Sequence, residues 1–200
     1  MEPWHASIQD AYELLQGKKF EMQNYPMWEK ESLKDEEHPL AAYHVTEPFV
    51  LHTNKKEGKS FKIEGRLLGG CLDCLSHLRG TKFDKVKEFN QKYEDDGILW
   101  FLESCDLNVF EMRRTLWSLK QAGWFDTCRG FLIGRPGVQG QIIAGLDQYE
   151  AVLSILSEFD VPIFMDLDIG HVAPMIPLIC GSYGKVTVVG NDCCIAMSLQ

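Results

Sequence analysis

Two short apolar runs in this sequence each end in an ionisable side chain. Five consecutive apolar residues precede Glu103 in the segment 98–103, and a second, mostly apolar run at 162–171 ends at His171. Both runs are too short for a helix and too continuous for a strand with one wet face, so they predict strands buried on both faces. Because open α/β sheets bind ligands at strand ends, Glu103 and His171 are candidate site residues.

Beyond these runs, the hydrophobic pattern alternates between the helical and the strand period. Apolar positions three and four residues apart predict helices, and alternation or short continuous runs predict strands. The predicted helices cover 7–16, 72–78, 83–89, 109–122 and 148–159, and the predicted strands cover 18–25, 60–68, 98–103, 128–133, 161–166 and a terminal hairpin at 184–199. Strand and helix alternate along the middle of the chain, which predicts βαβ units with parallel pairing and a mixed α/β fold.

Helix ends are marked by capping residues. Asn108 is the predicted N-cap of the clearest helix, with Glu111 completing a capping box and Gly123 following the last turn. Ser7 is the predicted N-cap of the first helix, and Gly17 follows its end. The predicted buried face of that first helix comprises Ile8, Ala11, Tyr12 and Leu15.

A polar stretch from 26 to 59 interrupts this pattern. It contains three prolines and a dense group of charged residues at 29–37, and long segments without regular structure are usually functional loops or linkers. Trp28 is out of place there: it is either an anchor packed on the core or an aromatic platform for a flat substrate group. The sequence leaves both interpretations open.

Composition narrows the classes of function. The 200-residue chain has a formal net charge of −9 and 45% hydrophobic residues, which is ordinary for a globular domain and argues against nucleic acid or an anionic membrane as a partner. The first residues lack the basic start and apolar run of a signal peptide, and no apolar window is long enough to span a membrane. We therefore expect a cytoplasmic protein.

Seven cysteines are scattered through the predicted core elements. An odd number spread in this way argues against a disulfide framework and for a reducing compartment. Cys71 and Cys74 have the spacing of zinc ligands, but a structural zinc site needs a second pair, and Cys193 and Cys194 are adjacent residues that point to opposite faces of a strand. We expect buried thiols, with no metal and no cofactor.

Four sequence blocks together resemble one protein family. They are GRLLGG at 65–70, ILWFLE at 98–103, GFLIG at 130–134 and DIGH at 168–171. Their order and spacing resemble the C-terminal domain of the serine peptidases that include LD-carboxypeptidase and the microcin-resistance protein MccF. The resemblance implies a mixed sheet curled toward a barrel with helices outside, and divides the chain into 1–65, an N-terminal helix, strand and long polar loop, and 66–200, the C-terminal domain.

The resemblance also implies residue roles. Glu103 and His171 match the family's catalytic Glu and His, which act with a serine nucleophile from a separate N-terminal domain. Trp28, Gly69 and Gly70 are the positions that it implies for substrate binding. The family usually has an asparagine after the paired glycines, whereas this chain has Cys71.

Asp166 and Asp168 precede the histidine closely in sequence. We expect them to cap or orient the loop that carries it.

The nucleophile is the missing part of this arrangement. No serine lies in a predicted strand–turn–helix elbow: Ser7 lies at a helix start, Ser32 in the acidic loop, and Ser104 in the turn after Glu103. We therefore expect the N-terminal nucleophile domain to lie outside this chain, and the chain alone to be inactive.

Three functions remain open at this level. In the favoured one, the chain is the C-terminal part of a serine carboxypeptidase that hydrolyses the terminal amide of a murein-type peptide or a peptidyl-nucleotide. Its expected partners are that substrate and its own N-terminal domain, with a homodimer as a further option. The alternatives are a non-catalytic binding module that keeps the cleft, and a metal-binding or structural protein that uses the cysteines.

Overall fold

The structure, a computed structural model, describes residues 5–55 and 60–199. The helices are α1 (Ala6–Leu15), α2 (Leu72–Leu78), α3 (Val86–Lys92), α4 (Val109–Gln121) and α5 (Gln148–Leu156), and a 3-10 turn at Ser157–Phe159 follows α5. The strands are β1 (Glu21–Gln23), β2 (Met27–Trp28), β3 (Glu47–Pro48), β4 (His52–Thr53), β5 (Ser60–Cys71), β6 (Ile98–Glu103), β7 (Cys128–Gly134), β8 (Ile163–Leu167), β9 (Tyr183–Val189) and β10 (Asp192–Ser198). Across these described ranges, no helix combines the length and the hydropathy needed to cross a membrane.

One mixed sheet of eight strands, in the order β1-β10-β9-β5-β6-β7-β8-β4, organises the fold. Its four central strands, β5 to β8, are parallel, and antiparallel strands extend it on both sides. The predicted mixed α/β class is confirmed. The sheet is open in the described part of the chain, with β1 and β4 as its edges, so the predicted curl does not close into a barrel.

Both faces of the central strands are covered, as the continuous apolar runs predict. Trp100 and Leu102 of β6 pack against Leu116 of α4 in one core cluster. Leu99 of the same strand packs with Phe164 in a second cluster on the other face. All five of these side chains are buried, because successive residues of a strand point to opposite faces and both faces carry a layer.

Most predicted elements are confirmed in type, with shifted ends. The capping box of α4 is present: the Asn108 side chain accepts hydrogen bonds from the backbone of Phe110 and Glu111, and the Glu111 carboxylate accepts one from the Asn108 backbone. The terminal hairpin is β9 and β10. The strand β5 runs on through Gly69 and Gly70 to Cys71, three residues beyond the predicted end at 68.

The first helix differs from its prediction. Its N-cap is His5, whose Nδ1 accepts a hydrogen bond from the Ser7 backbone, so the assignment of Ser7 as N-cap was wrong. The predicted face was also wrong: Tyr12 and Leu15 are 57% and 86% exposed, and the helix buries Ser7, Asp10 and Leu14 instead. Asp10 decides this orientation, because its carboxylate accepts hydrogen bonds from the Tyr25 hydroxyl and the Lys19 ammonium.

The polar stretch at 26–59 is folded at both ends of its described part, whereas residues 31–40 between them are exposed. The strands β2 and β3 pair within it, and the indole of Trp28 donates to the carbonyl of Pro48 at 3.1 Å. Glu29 is 7% exposed; its backbone N–H donates to the carbonyl of Ala173, and its carboxylate accepts from the backbone of His44. This stretch is therefore a folded loop that lies against the segment around His171.

Candidate active site

The carboxyl ends of the four parallel strands bring the candidate residues to one edge of the sheet. Cys71 at the end of β5 is the register partner of Glu103 at the end of β6. Arg135 follows the end of β7, and Asp168 and His171 follow the end of β8. Parallel pairing forces these ends to the same side, which is where open α/β sheets place their sites.

Glu103 and His171 form a hydrogen-bonded pair across this edge. Nδ1 of the imidazole lies 2.9 Å from Oε2 of the carboxylate. The Glu103 side chain is 5% exposed and the His171 side chain is 53% exposed. Because a carboxylate only accepts, Nδ1 carries the shared proton, and Nε2 is the nitrogen left to exchange protons with a substrate or a nucleophile.

The electrostatics of this pair favour the charged imidazole. The hydrogen bond to Glu103 raises the pKa of His171 above its ordinary value of 6.5, partial burial opposes the rise, and the charges of Glu103, Asp73 and Asp106 add to it. A histidine held in this way can take up a proton and keep its orientation, which are the two properties required of a general base.

Two glycines lie close to the Glu103 side chain. A Cβ on Gly170 would lie 2.5 Å from Cγ of Glu103, and Gly170 has a φ of +108° that side-chain-bearing residues rarely adopt. A Cβ on Gly134 would lie 2.0 Å from the carbonyl oxygen of Ile169 and 3.0 Å from Cβ of Glu103, so Gly134 makes room mainly for the Ile169 backbone. The glycine in the DIGH block is therefore required by both its backbone conformation and the close approach of the carboxylate.

Asp168 anchors the loop that carries His171. It is fully buried, and its carboxylate accepts hydrogen bonds from Nη1 of Arg135 at 2.5 Å and from the backbone N–H of Tyr25 at 2.7 Å. Its own backbone carbonyl accepts from the N–H of Ile176. Burial raises the pKa of Asp168, and the Arg135 charge opposes that rise. Asp168 therefore joins three segments around the loop and does not itself face a substrate.

A cleft of about 600 Å³ lies beside this edge. Its lining residues include Trp28, Pro48, His52, Arg135, Ile142 and Tyr149. The Arg135 guanidinium lies 5.0 Å from the centre of the Trp28 ring, within the range of a cation–π contact. Arg135 thus connects the cleft to Asp168 and the His171 loop.

Asp166 forms a polar cluster in this cleft that the sequence did not reveal. It accepts hydrogen bonds from the Tyr149 hydroxyl at 2.7 Å and from the Gln148 amide at 3.1 Å, and lies 2.7 Å from Nδ1 of His52. Asp166 has a φ of +63°, an unusual conformation for a residue with a side chain. Among the described residues, the side-chain partners of Asp166 lie on α5 and β4, so its predicted orienting role on the His171 loop stays a prediction.

Gly69 and Gly70 lie apart from the cleft that contains Trp28. A Cβ on Gly69 would overlap the backbone carbonyl of Phe101, whereas one on Gly70 would meet open space. Gly69 lines a shallow apolar groove beside α2 and α3, with Leu75, Leu78 and Phe83 among its neighbours. The two glycines therefore shape the end of β5 before Cys71, and their assignment to substrate binding stays a prediction.

Comparison with known proteins adds to this picture. The family model of the LD-carboxypeptidase C-terminal domain matches residues 64–186. Two curated relatives are named as carboxypeptidases, in both cases as a provisional assignment. The protein from Treponema pallidum is 26% identical over 177 residues, 87% of this chain and 45% of its own length, and that from Vibrio cholerae is 22% identical over 156 residues, 78% and 44%. The chain thus spans a little under half the length of these relatives.

Several solved structures share the fold of this chain. An MccF-like protein from Streptococcus pneumoniae in complex with AMP aligns with a TM-score of 0.70 at 23% identity, covering 98% of this chain and 58% of that one. The muramoyltetrapeptide carboxypeptidase of Oxalobacter formigenes aligns with a TM-score of 0.64 at 16% identity, covering 96% and 54%. The microcin C7 self-immunity protein MccF in complex with aspartyl sulfamoyl adenosine gives 0.73 at 18% identity, covering 100% and 57%.

Fold and site together define a mixed α/β domain that presents a carboxylate–imidazole pair at the carboxyl edge of its parallel strands. With more than half of its length matched by the family model, the chain belongs to the LD-carboxypeptidase C-terminal domain family. The resemblance seen in the four sequence blocks is confirmed.

Proposed function

We propose that this chain supplies the general base and its orienting carboxylate to a serine-type carboxypeptidase. His171 is the base and Glu103 the orienting group. One observation carries the proposal: a buried carboxylate lies 2.9 Å from Nδ1 of a half-exposed imidazole. A buried acceptor fixes the tautomer and the ring orientation, and the exposed part of the ring can meet a nucleophile.

In the proposed reaction, Nε2 of neutral His171 takes the proton of a serine hydroxyl as its oxygen forms a bond to the substrate carbonyl carbon. Glu103 stabilises the imidazolium that results. The imidazolium then gives its proton to the leaving amine as the amide C–N bond breaks, and an acyl-enzyme remains. A water molecule then gives its proton to His171 and attacks the acyl carbon. The ester bond to serine breaks, the serine regains its proton from His171, and the carboxylic acid product is released.

The serine of this mechanism is proposed to come from a part of the protein outside these 200 residues. Ser104 follows Glu103, but it is 1% exposed and its hydroxyl has no hydrogen-bond partner in the described part of the chain, so no substrate reaches it. Ser7 is buried on α1, and Ser32 is exposed in the loop after β2. The short span of the chain relative to its curated relatives supports this division.

The proposed substrate is a murein-type peptide or a peptidyl-nucleotide, hydrolysed at its terminal amide. Trp28 beside the cleft offers a flat ring for a base or another planar group. The name of one structural neighbour contains muramoyltetrapeptide, and two others are complexes with AMP and with aspartyl sulfamoyl adenosine. We also propose that the protein is cytoplasmic, because all seven cysteines are unpaired and free thiols are typical of reducing compartments.

A binding module without catalysis is the second candidate. It is favoured by one observation: among the described residues, neither Glu103 nor His171 lines the Trp28 cleft. Such a module would bind its ligand without turnover, even when joined to a serine-bearing domain.

The proposal is tested by comparing this chain with a full-length protein that contains the serine-bearing domain. Both are incubated with a murein tetrapeptide and with an aminoacyl-nucleotide amide, and products are followed by mass. We expect hydrolysis by the full-length protein alone. Hydrolysis by the 200-residue chain contradicts the placement of the nucleophile, and ligand binding without hydrolysis by the full-length protein supports the binding module.

A further inference from the structure

A third side chain, from Cys71, joins the Glu103–His171 pair. The Cys71 sulfur, one Glu103 oxygen and one His171 nitrogen all lie within 4.8 Å of one another. The sheet fixes this arrangement, since Cys71 and Glu103 are register partners on β5 and β6. The mechanism proposed above makes no use of the thiol.

These three groups make up a set of metal donors. Thiolate, imidazole and carboxylate are the three protein ligand types for Zn²⁺, and sites with three protein ligands leave a fourth position open. Two anionic donors balance the charge of a divalent ion. The sulfur selects for Zn²⁺ and similar thiolate-binding ions over Mg²⁺ and Ca²⁺, which prefer oxygen ligands.

The distances require only a local adjustment. With metal–ligand bonds of about 2.0–2.3 Å, donor atoms around a tetrahedral ion lie about 3.3–3.8 Å apart. No two of the three donor atoms lie more than 4.8 Å apart, so no separation has to close by more than roughly 1.5 Å. The imidazole is half exposed, so a side-chain rotation supplies the movement and solvent supplies an entry path.

A fourth residue holds the cysteine in place. The Cys71 thiol donates a hydrogen bond to Oδ2 of Asp73 at 3.3 Å. Asp73 is itself fixed, because its carboxylate accepts the backbone N–H groups of Cys105 and Asp106, each at 3.0 Å. This hydrogen bond orients the thiol before an ion arrives. Because the ligand is the thiolate, metal binding displaces the thiol proton to solvent.

We propose that Cys71, Glu103 and His171 form a binding site for a Zn²⁺-type ion. The ion would take the Glu103 carboxylate and one His171 nitrogen as ligands, and so compete with the hydrogen bond between these two side chains. If the function proposed above holds, occupancy removes the general base and inhibits hydrolysis, so the site is a metal-dependent switch. This last step rests on that function; the binding itself does not.

The test of binding uses the 200-residue chain and Co²⁺ as a spectroscopic substitute for Zn²⁺. Under reducing conditions, titration should produce a thiolate-to-cobalt charge-transfer band that saturates at one equivalent and is abolished by Zn²⁺. Cys71→Ser should lose the band, whereas Cys74→Ser, which changes the other cysteine of the CxxC pair, should keep it. A band that persists in Cys71→Ser, disappears in Cys74→Ser, or is absent from the unaltered chain overturns the site.

A second variant keeps the test decisive if Cys71→Ser does not fold. His171→Ala changes a half-exposed ring and should weaken Co²⁺ binding by at least roughly 10-fold, because one of three ligands is lost. Unchanged affinity in His171→Ala contradicts the site. Zn²⁺ should inhibit hydrolysis by the full-length wild-type protein far more strongly than hydrolysis by the full-length Cys71→Ser variant. If the chain binds the ion and hydrolysis continues, the metal site stands and the role proposed for His171 fails.

Discussion

The buried carboxylate of Glu103 and Nδ1 of His171 meet at 2.9 Å although 68 residues separate them in sequence. Glu103 ends β6, and His171 follows β8. Because β6, β7 and β8 are parallel neighbours, both strand ends lie at one edge of the sheet. The pair therefore depends on the order and register of these three strands.

The first prediction concerns the protonation of His171. Glu103→Gln removes the charge and the strong acceptor that raise the pKa of His171, so that pKa should fall, as followed by NMR titration of the ring. Glu94→Gln, at an exposed position on the loop after α3, is the matched control and should leave the titration unchanged. An identical His171 titration in wild type and Glu103→Gln contradicts the observed contact.

The same contact should appear in the free energy of unfolding. A group whose pKa is raised on folding stabilises the protein below its unfolded pKa and loses that contribution as pH rises through its folded pKa. The stability lost in Glu103→Gln should therefore be larger at about pH 6 than at about pH 9. Chemical denaturation at the two pH values measures it.

The second prediction concerns the glycine beneath Glu103. Gly170→Ala places a Cβ 2.5 Å from Cγ of Glu103 at a φ of +108°. The strain should lower the free energy of unfolding by about 1–3 kcal/mol and displace the carboxylate, which shifts the His171 ring signals. Gly140→Ala is the control, because Gly140 has a φ of +64° with open space around it. It should show backbone strain alone, with unchanged His171 signals.

The third prediction concerns the buried ion pair behind the His171 loop. Asp168→Asn removes the charge that partners Arg135, whose side chain is 4% exposed. Breaking one side of a buried pair typically costs about 3–5 kcal/mol of unfolding free energy, and denaturation should show a loss of that order. Lys85→Gln, in an exposed pair with Glu88, should cause no measurable change. Equal stability of the two variants contradicts the anchoring role given to Asp168.

The fourth prediction concerns Trp28 as a stacking platform. Stacking of a base on an aromatic ring is worth about 1–3 kcal/mol. Under the proposed peptidyl-nucleotide function the chain binds AMP, and Trp28→Ala should weaken that binding by roughly 5- to 150-fold. Trp28→Phe should retain much of the affinity. Trp117 on α4 is 53% exposed and lies outside the cleft lining, so Trp117→Ala is the control. Unchanged affinity in Trp28→Ala, measured by calorimetry, identifies Trp28 as a loop anchor only.

The sequence was sufficient to predict the elements whose pattern is local. The strand β6 follows from five apolar residues in a row, and the start of α4 follows from Asn108 and Glu111. Glu103 and His171 could be selected because each comes at a strand end within a block that resembles a family.

Features that depend on tertiary partners could not be predicted. The buried face of α1 is set by hydrogen bonds from Tyr25 and Lys19 to Asp10, and no helical periodicity contains them. The contact of His52 with Asp166 links strands far apart in sequence. The contact of Cys71 with Glu103 required the register of β5 and β6, which apolar patterns alone leave undetermined.

The central claim is that His171 is the general base of the full-length enzyme. The most direct measurement is the rate of hydrolysis of a murein tetrapeptide by the full-length wild type and by its His171→Ala variant. We expect His171→Ala to reduce kcat by about 10³-fold or more, because residues of a nucleophile–base pair act as a unit, with unchanged folding by circular dichroism. Wild-type kcat in His171→Ala would contradict the account.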